Sequence, residues 1–584
     1  MKLKRLKINV PYKSLQAGFE INFQPNLQSD TIDPLCFVGP NGSGKSNVLE
    51  AIADIFYYLE CHLFEYTSVS SFKIPIESFE IEYYKPFMAA GGIMQVFNDN
   101  PIISGQHYHI KIIKNQRQQP NYFLINDLEE IEITGESRSY ALPKRIWGYS
   151  SGENESLSLP FKRMDLFYLE QAAINIKKNV GEIIGDNRLH FVDYDTTSAL
   201  VLSNFLIYGN PNETEEIKIN KLKIFKEKFG IESIESFRIT IRFQYRNKFK
   251  IPIDKAVQNF INSLKEHFSV SKERGRTDEI SIDVDLRKVE NFEVFGRMAA
   301  DAGSLYKYFE KLMLRNKYTI PWKRRQKVLY NKNVYSAQND IGHLPNDEQL
   351  FILDNIMLKM DGIESPIPYE SISDGEHQAL TIFSLVNLID EIDVLCLFDE
   401  PETHLNPKWK YEYISTINHI QKQKDSHILM TTHDPIFISG LNKEQVILFQ
   451  KRIHLPEEMP RWSFAEEDLK GKGVDAILTS EIFNLSTTLD QNTLNKFIER
   501  RKLLLSIDNG QADDDTIERL KNLNEELNDI DFNKPFDDPL YKEFIKALDN
   551  LEDYKRIDLS EEEKRERQRI SDSILQKLNR NIPE

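Results

Sequence analysis

A glycine-rich stretch near the start of the chain has the spacing G-x-x-x-x-G-K-S: Gly39-Pro40-Asn41-Gly42-Ser43-Gly44-Lys45-Ser46. Such a loop can surround a phosphate chain, because glycines let backbone N–H groups approach the phosphate oxygens. The Lys45 ammonium group would reach the terminal phosphates, and the Ser46 hydroxyl group would ligate Mg²⁺. An apolar run at 34–38 precedes the loop, and apolar residues at helical spacing follow it at 48–56. The order strand, glycine loop and helix therefore predicts a phosphate-binding loop.

Two adjacent carboxylates follow an apolar run about 330 residues later, in Val394-Leu395-Cys396-Leu397-Phe398-Asp399-Glu400. A carboxylate at a strand end can hold Mg²⁺ or its water shell, which is the role predicted for Asp399. The next side chain, Glu400, points elsewhere and can polarise an attacking water. Paired carboxylates could also form a plain solvated turn, but two further neighbours argue against that alternative.

The first neighbour is the start of a predicted helix at Ser373-Asp374-Gly375-Glu376. A serine and a glycine at a helix start offer hydroxyl and backbone donors to an anion, although alone they would be an ordinary cap. The second neighbour is His433, which follows the apolar strand that begins at His427. A histidine at the end of a parallel strand lies where ligands bind, so His433 could contact a γ-phosphate.

The elements that must position these groups are strands and helices of a long, acidic chain. It has 584 residues and a net charge of −17, and at about 150 residues per lobe this length predicts two to four lobes. An acidic chain can contact nucleic acid only through a local basic patch. No apolar stretch approaches the ~20 residues of a membrane span, and the N-terminus lacks an apolar signal core, so we predict a cytoplasmic protein without membrane contact. Cys36, Cys61 and Cys396 show no metal-ligand spacing and are predicted to be buried thiols.

In this order, the four stretches resemble the ATP-binding-cassette (ABC) ATPase head of the SMC, Rad50, RecF and overcoming-lysogenization-defect class. The resemblance covers the start of the chain to about residue 95 and residues 345–450. It makes residues 39–46 the Walker A loop, Asp399 and Glu400 the Walker B pair, and His433 the switch histidine. Residues 373–376 would be the signature, which in this class usually reads Ser-Gly-Gly and here has Asp374 at its second position. Residues 401–407, Pro-Glu-Thr-His-Leu-Asn-Pro, lie where the class has its D-loop.

The resemblance implies ATP and Mg²⁺ as cofactors and two heads that sandwich two ATP molecules, in a homodimer or a higher oligomer. Glu400, Lys45 and His433 are the expected catalytic residues, and Ser46 and Asp399 the expected metal ligands. The residues expected to contact nucleotide, some of them from the second head, are Gly39, Asn41, Gly42, Ser43, Gly44, Lys45, Ser46, Asn47, Ser373, Gly375 and Glu376.

The fold class is therefore predicted as α/β, with a mixed sheet and flanking helices, a compact inserted α+β lobe and a helical C-terminal region. The middle of the chain shows no sustained heptads, so a compact lobe is expected instead of a coiled-coil arm. The predicted divisions are a first half-head at 1–100, an inserted lobe at 101–344, a second half-head at 345–470 and a helical region for partner binding at 471–584.

Two details of the middle region remain open in the sequence. A loop within 145–161, at the turn 149–153, could lie beside the nucleotide, and Gln95 is the rival for that role. A basic cluster with interleaved aromatic residues could contact nucleic acid through Lys323, Arg324, Arg325 and Lys327, or it could be a solvated helix face.

The C-terminal region offers no convincing nuclease centre. A TOPRIM domain needs a strand-end glutamate and a later strand ending in Asp-x-Asp, and only Leu503–Asp515 is tempting, within a helical pattern. What remains resembles the PtuA-type ATPases of Septu and retron antiphage systems. Those ATPases partner a separate HNH nuclease and, in retrons, a reverse transcriptase with its DNA–RNA hybrid.

We therefore predict an ATP-hydrolysing sensor or regulatory subunit of an antiphage complex that controls a separate nuclease. One alternative is a RecF- or SMC-like DNA-binding repair ATPase. Another is an ATPase–nuclease of the overcoming-lysogenization-defect type with an unrecognised nuclease centre, in which Asp513–Asp515 would hold the metal.

Overall fold

The structure is a computed structural model of residues 1–584. The residues that it describes are 1–27, 34–63, 76–86, 96–97, 100–101, 107–126, 129–151, 155–177, 187–212, 216–245, 249–250, 253–271, 279–330, 345, 348–389, 393–420, 426–451, 461–480, 482–483, 485, 487–508, 513–528 and 569.

The strands within these residues are, in chain order, β1 (Lys2–Ile8), β2 (Phe19–Asn22), β3 (Leu35–Val38), β4 (Phe79–Pro86), β5 (Val96–Phe97), β6 (Asn100–Pro101), β7 (His107–Lys114), β8 (Asn121–Ile125), β9 (Glu130–Ile133), β10 (Arg145–Ser150), β11 (Leu189–Val192), β12 (Ile231–Arg242), β13 (Gln244–Tyr245), β14 (Phe249–Lys250), β15 (Ser269–Ser271), β16 (Glu279–Asp285), β17 (Phe351–Met360), β18 (Ile367–Pro368), β19 (Val394–Asp399), β20 (His427–Thr432), β21 (Val446–Phe449) and β22 (Trp462–Phe464).

The α-helices within these residues are α1 (Lys45–Leu63), α2 (Ser137–Ala141), α3 (Ser158–Lys177), α4 (Tyr194–Tyr208), α5 (Glu216–Phe229), α6 (Lys255–His267), α7 (Glu290–Met298), α8 (Ala302–Leu314), α9 (Trp322–Tyr330), α10 (Asp374–Leu388), α11 (Pro407–Ile420), α12 (Pro435–Ile438), α13 (Val474–Leu478), α14 (Gln491–Asp508) and α15 (Asp514–Asn528). The mixture of sheets with flanking helices confirms the predicted α/β fold class.

A seven-stranded sheet of order β11-β10-β19-β20-β3-β21-β22 carries the residues of interest. Its neighbouring strands are parallel, except that β22 is antiparallel to β21. Strands β3, β19 and β20 are buried along their whole length, as expected for apolar strands in the middle of a parallel sheet. Because parallel strands end at the same edge, the residues that follow β3, β19 and β20 meet there.

Alternate residues of these strands enter two apolar cores, one on each face of the sheet. Cys36, Val38 and Phe398 contribute to the core that includes α4, α8 and α10. Phe37 and Leu397 contribute to the opposite core, which includes α1 and α3. The strands are therefore held from both sides, and their carboxyl ends have fixed positions.

Two antiparallel sheets accompany the central sheet, with orders β2-β1-β4-β7-β8-β9 and β15-β16-β12-β17-β18. Strands β10 and β11 lie within residues 101–344, which we predicted to form a separate lobe. They extend the central sheet, because β10 pairs with β19 in parallel and β11 pairs with β10. The division into domains at residues 100, 344 and 470 stays a prediction. The pairings of β10 and β11 cross the predicted boundary at residue 344.

The chain separates into two compact units, Met1–Leu485 and Ser486–Glu584. In the second unit, α14 and α15 are packed helices with ion pairs between Lys496 and Glu526 and between Arg519 and Glu499. No helix within the described residues is both long enough and apolar enough to span a membrane.

Candidate active site

The glycine-rich loop connects the end of β3 to the start of α1. Gly39 has no room for a side chain, because a Cβ atom there would lie 2.2 Å from the carbonyl oxygen of Phe449. Gly44 has a φ angle of 105°, which lies in the left-handed region that favours glycine. The course of this loop therefore depends on glycine at both positions.

Lys45 is almost completely buried, and its ammonium group is held by the loop itself. The Nζ atom donates hydrogen bonds to the carbonyl oxygens of Gly39, at 2.7 Å, and Pro40, at 3.3 Å. Burial lowers the pKa of Lys45, while the nearby carboxylates of Glu400 and Asp399 act in the opposite direction. The Lys45 ammonium group thus lies inside the phosphate loop, with little access to water.

Ser46 and Asp399 are brought into direct contact at the carboxyl edge of the sheet. The Ser46 hydroxyl group donates a hydrogen bond of 2.8 Å to Oδ1 of Asp399. The Thr431 hydroxyl group, at the end of β20, donates to the same carboxylate oxygen. Burial raises the pKa of Asp399, although the hydrogen bonds from Thr431 and Ser46 act against this shift. Sequence reasoning missed Thr431, which stands two residues before His433.

Glu400 follows Asp399 with a φ angle of 50°, an uncommon conformation for a residue other than glycine. Its N–H group donates to the carbonyl oxygen of Thr431 at 3.2 Å and to the Thr431 hydroxyl group at 3.1 Å. Its Oε1 atom lies 3.0 Å from Nδ1 of His433. Because an ionised carboxylate only accepts hydrogen bonds, the ring nitrogen of His433 is the donor. The structure thus pairs two of the three predicted catalytic residues.

The loop after β10 also reaches this edge. The N–H group of Ser151 donates to the carbonyl oxygen of Asp399 at 3.1 Å. The Ser151 hydroxyl group donates to the carbonyl oxygen of Glu400 at 2.5 Å and lies 2.8 Å from the Thr403 hydroxyl group. The predicted turn at 149–153 therefore contacts Asp399 and Glu400 through Ser151. Residues 152–154 and the rival residue Gln95 lie outside the described residues.

The predicted signature residues lie at the start of α10, where Ser373 caps the helix. The Glu376 N–H group donates to the Ser373 hydroxyl group at 3.4 Å, and the Ser373 N–H group donates to the Glu376 carboxylate at 2.9 Å. Gly375 packs closely, because a Cβ atom there would lie 2.7 Å from the carbonyl oxygen of His404. Among the described residues, no hydrogen bond or ion pair joins Ser373, Gly375 or Glu376 to residues 39–47.

A short loop after β1 supports the phosphate loop and was not singled out from the sequence. The Asn47 side chain donates a hydrogen bond of 2.6 Å to the Ser14 hydroxyl group. Lys13 forms an ion pair with Glu50 in α1, and the Arg461 side chain donates to the carbonyl oxygen of Ser14 at 2.7 Å. These partners come from distant loops, so the sequence offers no periodic signal that would reveal them.

The four basic residues of the predicted nucleic-acid patch have different surroundings. Lys323, Arg324 and Lys327 are exposed on α9. The Nε atom of Arg325 instead lies 3.1 Å from Oε1 of Glu170, and this side chain is largely buried. Arg325 is therefore occupied by an internal ion pair.

The residues of the phosphate loop, the start of α1 and the end of β19 fit a bound Mg·ATP. The Ser43 hydroxyl group, inside the phosphate loop, is buried and has no hydrogen-bond partner among the described residues. A buried polar group of this kind needs a partner, and a phosphate oxygen would provide one. The Ser46 hydroxyl and Asp399 carboxylate oxygens are hard ligands, which suit Mg²⁺ when it keeps several waters and binds substrate phosphates.

A strand, a glycine loop and a helix beside a strand-end carboxylate define a phosphate-loop nucleotide-binding protein. Residues 1–438 match the family described as AAA ATPase domain, and the chain belongs to this family. The family assigns the chain to the ATPases and implies nucleotide binding. No curated protein matches the chain.

Solved structures of SMC heads are similar to the chain, with low sequence identity and low TM-scores. An SMC head bound to the C-terminal winged-helix domain of ScpA has 14% identity and a TM-score of 0.29, with 80% of this chain and 98% of that chain covered. An SMC head with an extended coiled coil, bound to the C-terminal domain of ScpA from Pyrococcus furiosus, has 14% identity, a TM-score of 0.26 and coverages of 76% and 92%. The SMC head domain from Thermotoga maritima has 11% identity, a TM-score of 0.26 and coverages of 75% and 91%.

Proposed function

We propose that this chain binds ATP with Mg²⁺ and hydrolyses it to ADP and phosphate as an ABC-type head of the SMC, Rad50 and RecF class. The observation that carries the proposal is the hydrogen bond between Ser46, in the phosphate loop, and Asp399, at the end of β19. Two polar groups that are distant in the chain thus meet beside the Lys45 ammonium group, where the phosphates would lie.

In this proposal, Ser46 and Asp399 hold the metal ion, which when bound neutralises charge on the β- and γ-phosphates. Lys45 exchanges its contacts with the loop carbonyls for contacts with phosphate oxygens. The backbone N–H groups of residues 41–46 and the side chains of Asn41, Ser43 and Asn47 surround the phosphate chain. These residues bind and orient the substrate, which supplies most of the catalysis in phosphoryl transfer.

Glu400 is the proposed base for the hydrolytic water. The water oxygen forms a bond with the γ-phosphorus, the bond from that phosphorus to the bridging oxygen breaks, and Glu400 takes the water proton. His433 donates a hydrogen bond to Glu400 and so fixes the direction of its carboxylate. Glu400 and His433 are also partly exposed, so water can reach this position.

The active unit is proposed to be a homodimer in which two heads enclose two ATP molecules. Ser373 and Gly375 lie at the start of a 15-residue helix, where N–H groups and the helix dipole favour an anion. They make no hydrogen bond with the phosphate loop of their own chain, and Ser373 is exposed. These observations support contact of Ser373, Gly375 and Glu376 with the γ-phosphate bound by a second copy.

The direct test is phosphate release from ATP by the purified chain, with and without Mg²⁺. We expect turnover that requires the metal and rises more steeply than in proportion to protein concentration, because the dimer is the active form. Absence of turnover at high protein concentration, with ATP still bound, would contradict hydrolysis. A linear dependence at concentrations where light scattering shows monomers would contradict the sandwich.

In the cell, we propose that this cytoplasmic ATPase senses infection and controls a separate HNH nuclease, as its resemblance to PtuA-type ATPases suggests. In a retron setting, a reverse transcriptase with its DNA–RNA hybrid would join the complex. Asp513, one of the acidic residues considered for a nuclease centre, caps α15, where its Oδ1 atom accepts from the Thr516 N–H group at 2.9 Å. Co-purification from the native host tests the partner, and recovery of the chain without any nuclease would contradict it.

Nucleic-acid binding is the second candidate function, and one surface favours it. An open cavity of about 480 Å³ next to α9 is lined by Tyr318, Trp322, Arg324 and Arg325, among others. The Trp322 side chain is 60% exposed, which is unusual for the largest apolar residue. An exposed aromatic ring beside basic residues can stack an unpaired base while the cations contact phosphates.

This surface is best tested with a labelled single-stranded oligonucleotide. We expect binding that weakens with salt and falls about tenfold when Trp322 is replaced by alanine, since stacking of one base contributes about 1–3 kcal/mol. Tyr411→Ala is the matched control, because Tyr411 is also an exposed aromatic residue, 68% accessible, on α11. Equal binding by both variants would remove the patch from the proposal.

Stimulation of ATP turnover by DNA without any partner would favour a RecF- or SMC-like repair ATPase. Metal-dependent plasmid cleavage that is lost on changing Asp513–Asp515 would favour an ATPase–nuclease.

A further inference from the structure

We propose that Gln378 is a positioning residue that couples the start of α10 to Glu400 through residues 401–404. The proposal rests on the proposed function, because it concerns how the two nucleotide sites of a dimer influence each other. Gln378 lies in the second turn of α10 and is 6% exposed, so its amide group has to find partners inside the protein.

The Gln378 amide group bridges both ends of the turn that follows Glu400. Its Nε2 atom donates a hydrogen bond of 2.8 Å to the carbonyl oxygen of Pro401. Its Oε1 atom accepts a hydrogen bond of 3.0 Å from the N–H group of His404. One side chain on α10 thus fixes the position of residues 401–404 at two points.

A second contact holds the same two segments together. A Cβ atom on Gly375 would lie 2.7 Å from the His404 carbonyl oxygen, so the first turn of α10 rests directly on the backbone of the 401–404 turn. Hydrogen bonds on one side and close packing on the other leave little freedom for relative movement. A shift of Ser373 and Gly375 therefore moves residues 401–404 with it.

The other end of this connection is Glu400. The residue after it, Pro401, is the acceptor for Gln378, and the Glu400 carbonyl oxygen accepts a hydrogen bond of 3.0 Å from Thr403. The backbone of Glu400 also has a φ angle of 50°, which persists only where the surroundings hold it. Movement of the 401–404 turn would therefore change the direction in which the Glu400 side chain points.

In the proposed dimer, the start of α10 contacts ATP bound by the partner, whereas Glu400 acts on ATP bound by its own chain. Through the hydrogen bonds of Gln378, ATP binding at one site would thus change the position of Glu400 at the other site. It predicts cooperative hydrolysis, with a Hill coefficient for ATP above 1 in the wild-type protein.

The test replaces Gln378 by methionine, which keeps the length of the side chain and removes its hydrogen bonds to Pro401 and His404, together with one to the Tyr149 side chain. Asn387→Leu is the matched control. Asn387 is on the same helix and is also buried, and its amide donates to the backbone carbonyl of Lys221 at 2.8 Å, away from residues 401–404. Gln378→Glu is a second variant, which keeps one acceptor and replaces the Nε2 donor with an oxygen.

For Gln378→Met we expect kcat to fall at least about tenfold and the Hill coefficient to approach 1, because a small misplacement of a catalytic group costs up to about 10²-fold. The Kd of a fluorescent ATP analogue should stay within about twofold of the wild-type value, since the phosphate loop is untouched. Asn387→Leu should keep both kcat and the Hill coefficient of the wild-type protein, even if its melting temperature falls as much as that of Gln378→Met.

Three results would overturn the inference or its basis, and they are distinguishable. Wild-type cooperativity and kcat in both folded Gln378 variants would remove Gln378 as a positioning residue and leave the ATPase intact. The same loss in Asn387→Leu as in Gln378→Met would reduce the effect to general destabilisation of α10. If Gln378→Met does not fold, Gln378→Glu decides between these results. A wild-type protein that binds ATP without turnover would overturn the proposed function itself.

Discussion

The Ser46 hydroxyl group donates a hydrogen bond of 2.8 Å to the Asp399 carboxylate, although 353 positions separate the two residues in the chain. Strand β20 lies between β19, which carries Asp399, and β3, which precedes the loop that leads to Ser46. The Thr431 hydroxyl group of β20 donates to the same carboxylate oxygen. The ends of two strands, β19 and β20, and the start of α1 therefore converge on one oxygen atom. A change at any of them should affect the same step, the placement of the metal ion and the terminal phosphates.

Replacement of Lys45 by alanine should weaken ATP binding about 10- to 100-fold, since a hydrogen bond to a charged group contributes about 1.5–3 kcal/mol. Fluorescence titration with an ATP analogue measures the Kd. Lys410→Ala is the control, because Lys410 is a lysine outside the phosphate loop whose ammonium group lies 2.6 Å from the Asp434 carboxylate. Unchanged affinity in Lys45→Ala would place the phosphates elsewhere.

Replacement of Glu400 by glutamine should preserve ATP binding and slow turnover at least about 10²-fold, because the general base is lost. ATP then persists between the heads, so light scattering should show a long-lived dimer in the presence of Mg·ATP. The half-buried ion pair of Lys228 and Glu412 provides the control Glu412→Gln, which should turn over normally. Rapid hydrolysis by Glu400→Gln would exclude Glu400 as the base.

Glu402 predicts a pH dependence of stability. Burial raises the pKa of its carboxyl group to about 8 from an ordinary value of 4.5, and its Oε1 atom accepts a hydrogen bond from the Thr432 hydroxyl group. The native state therefore favours the protonated form. Its stabilising contribution is complete below pH 4.5 and is lost as the pH rises through about 8, a change on the order of a few kcal/mol.

The melting temperature of the wild-type protein should consequently fall more between about pH 5 and 9 than that of Glu402→Gln, which cannot ionise. Glu364→Gln removes an exposed carboxylate and serves as the control. Parallel melting curves for the wild type and Glu402→Gln across this range would show that Glu402 has an ordinary pKa.

At Gly148, in β10, we predict that the packing does not tolerate even one added methyl group. A Cβ atom there would lie 2.5 Å from the ring of Phe161 and 2.9 Å from the ring of Phe191. Gly148→Ala should lower the free energy of unfolding by about 1–3 kcal/mol, because overpacking displaces both rings. Chemical denaturation measures this change.

Gly296→Ala is the matched control, since a Cβ atom on Gly296 in α7 meets nothing within 4 Å. Alanine should there increase stability by up to about 1 kcal/mol, through its higher helix propensity. Equal effects of the two substitutions would contradict close packing around Gly148.

Much of the candidate site was predictable because it consists of short local patterns. The loop from Gly39 to Ser46 and the pair Asp399–Glu400 each combine an apolar strand with a polar end, and both features are visible in sequence. What the pattern could not give is the pairing of β10 with β19, because the alternation of a strand identifies its faces and not its neighbour.

Contacts that side chains make with backbone atoms were not predictable from the sequence. Gln378 binds the carbonyl oxygen of Pro401 and the N–H group of His404, and Ser151 binds the carbonyl oxygen of Glu400. A backbone acceptor has no residue type, so no pattern of letters marks it. Such bonds become visible only when the chain is folded.

The contacts of the Lys45 ammonium group with the carbonyl oxygens of Gly39 and Pro40 determine how affinity for nucleotide should be understood. An arriving phosphate does not meet an unpartnered cation, because it replaces two neutral acceptors with charged ones. The gain in binding is the difference between these two sets of contacts. Selection for tighter or looser nucleotide exchange could therefore act on the carbonyl geometry of the loop without altering the lysine.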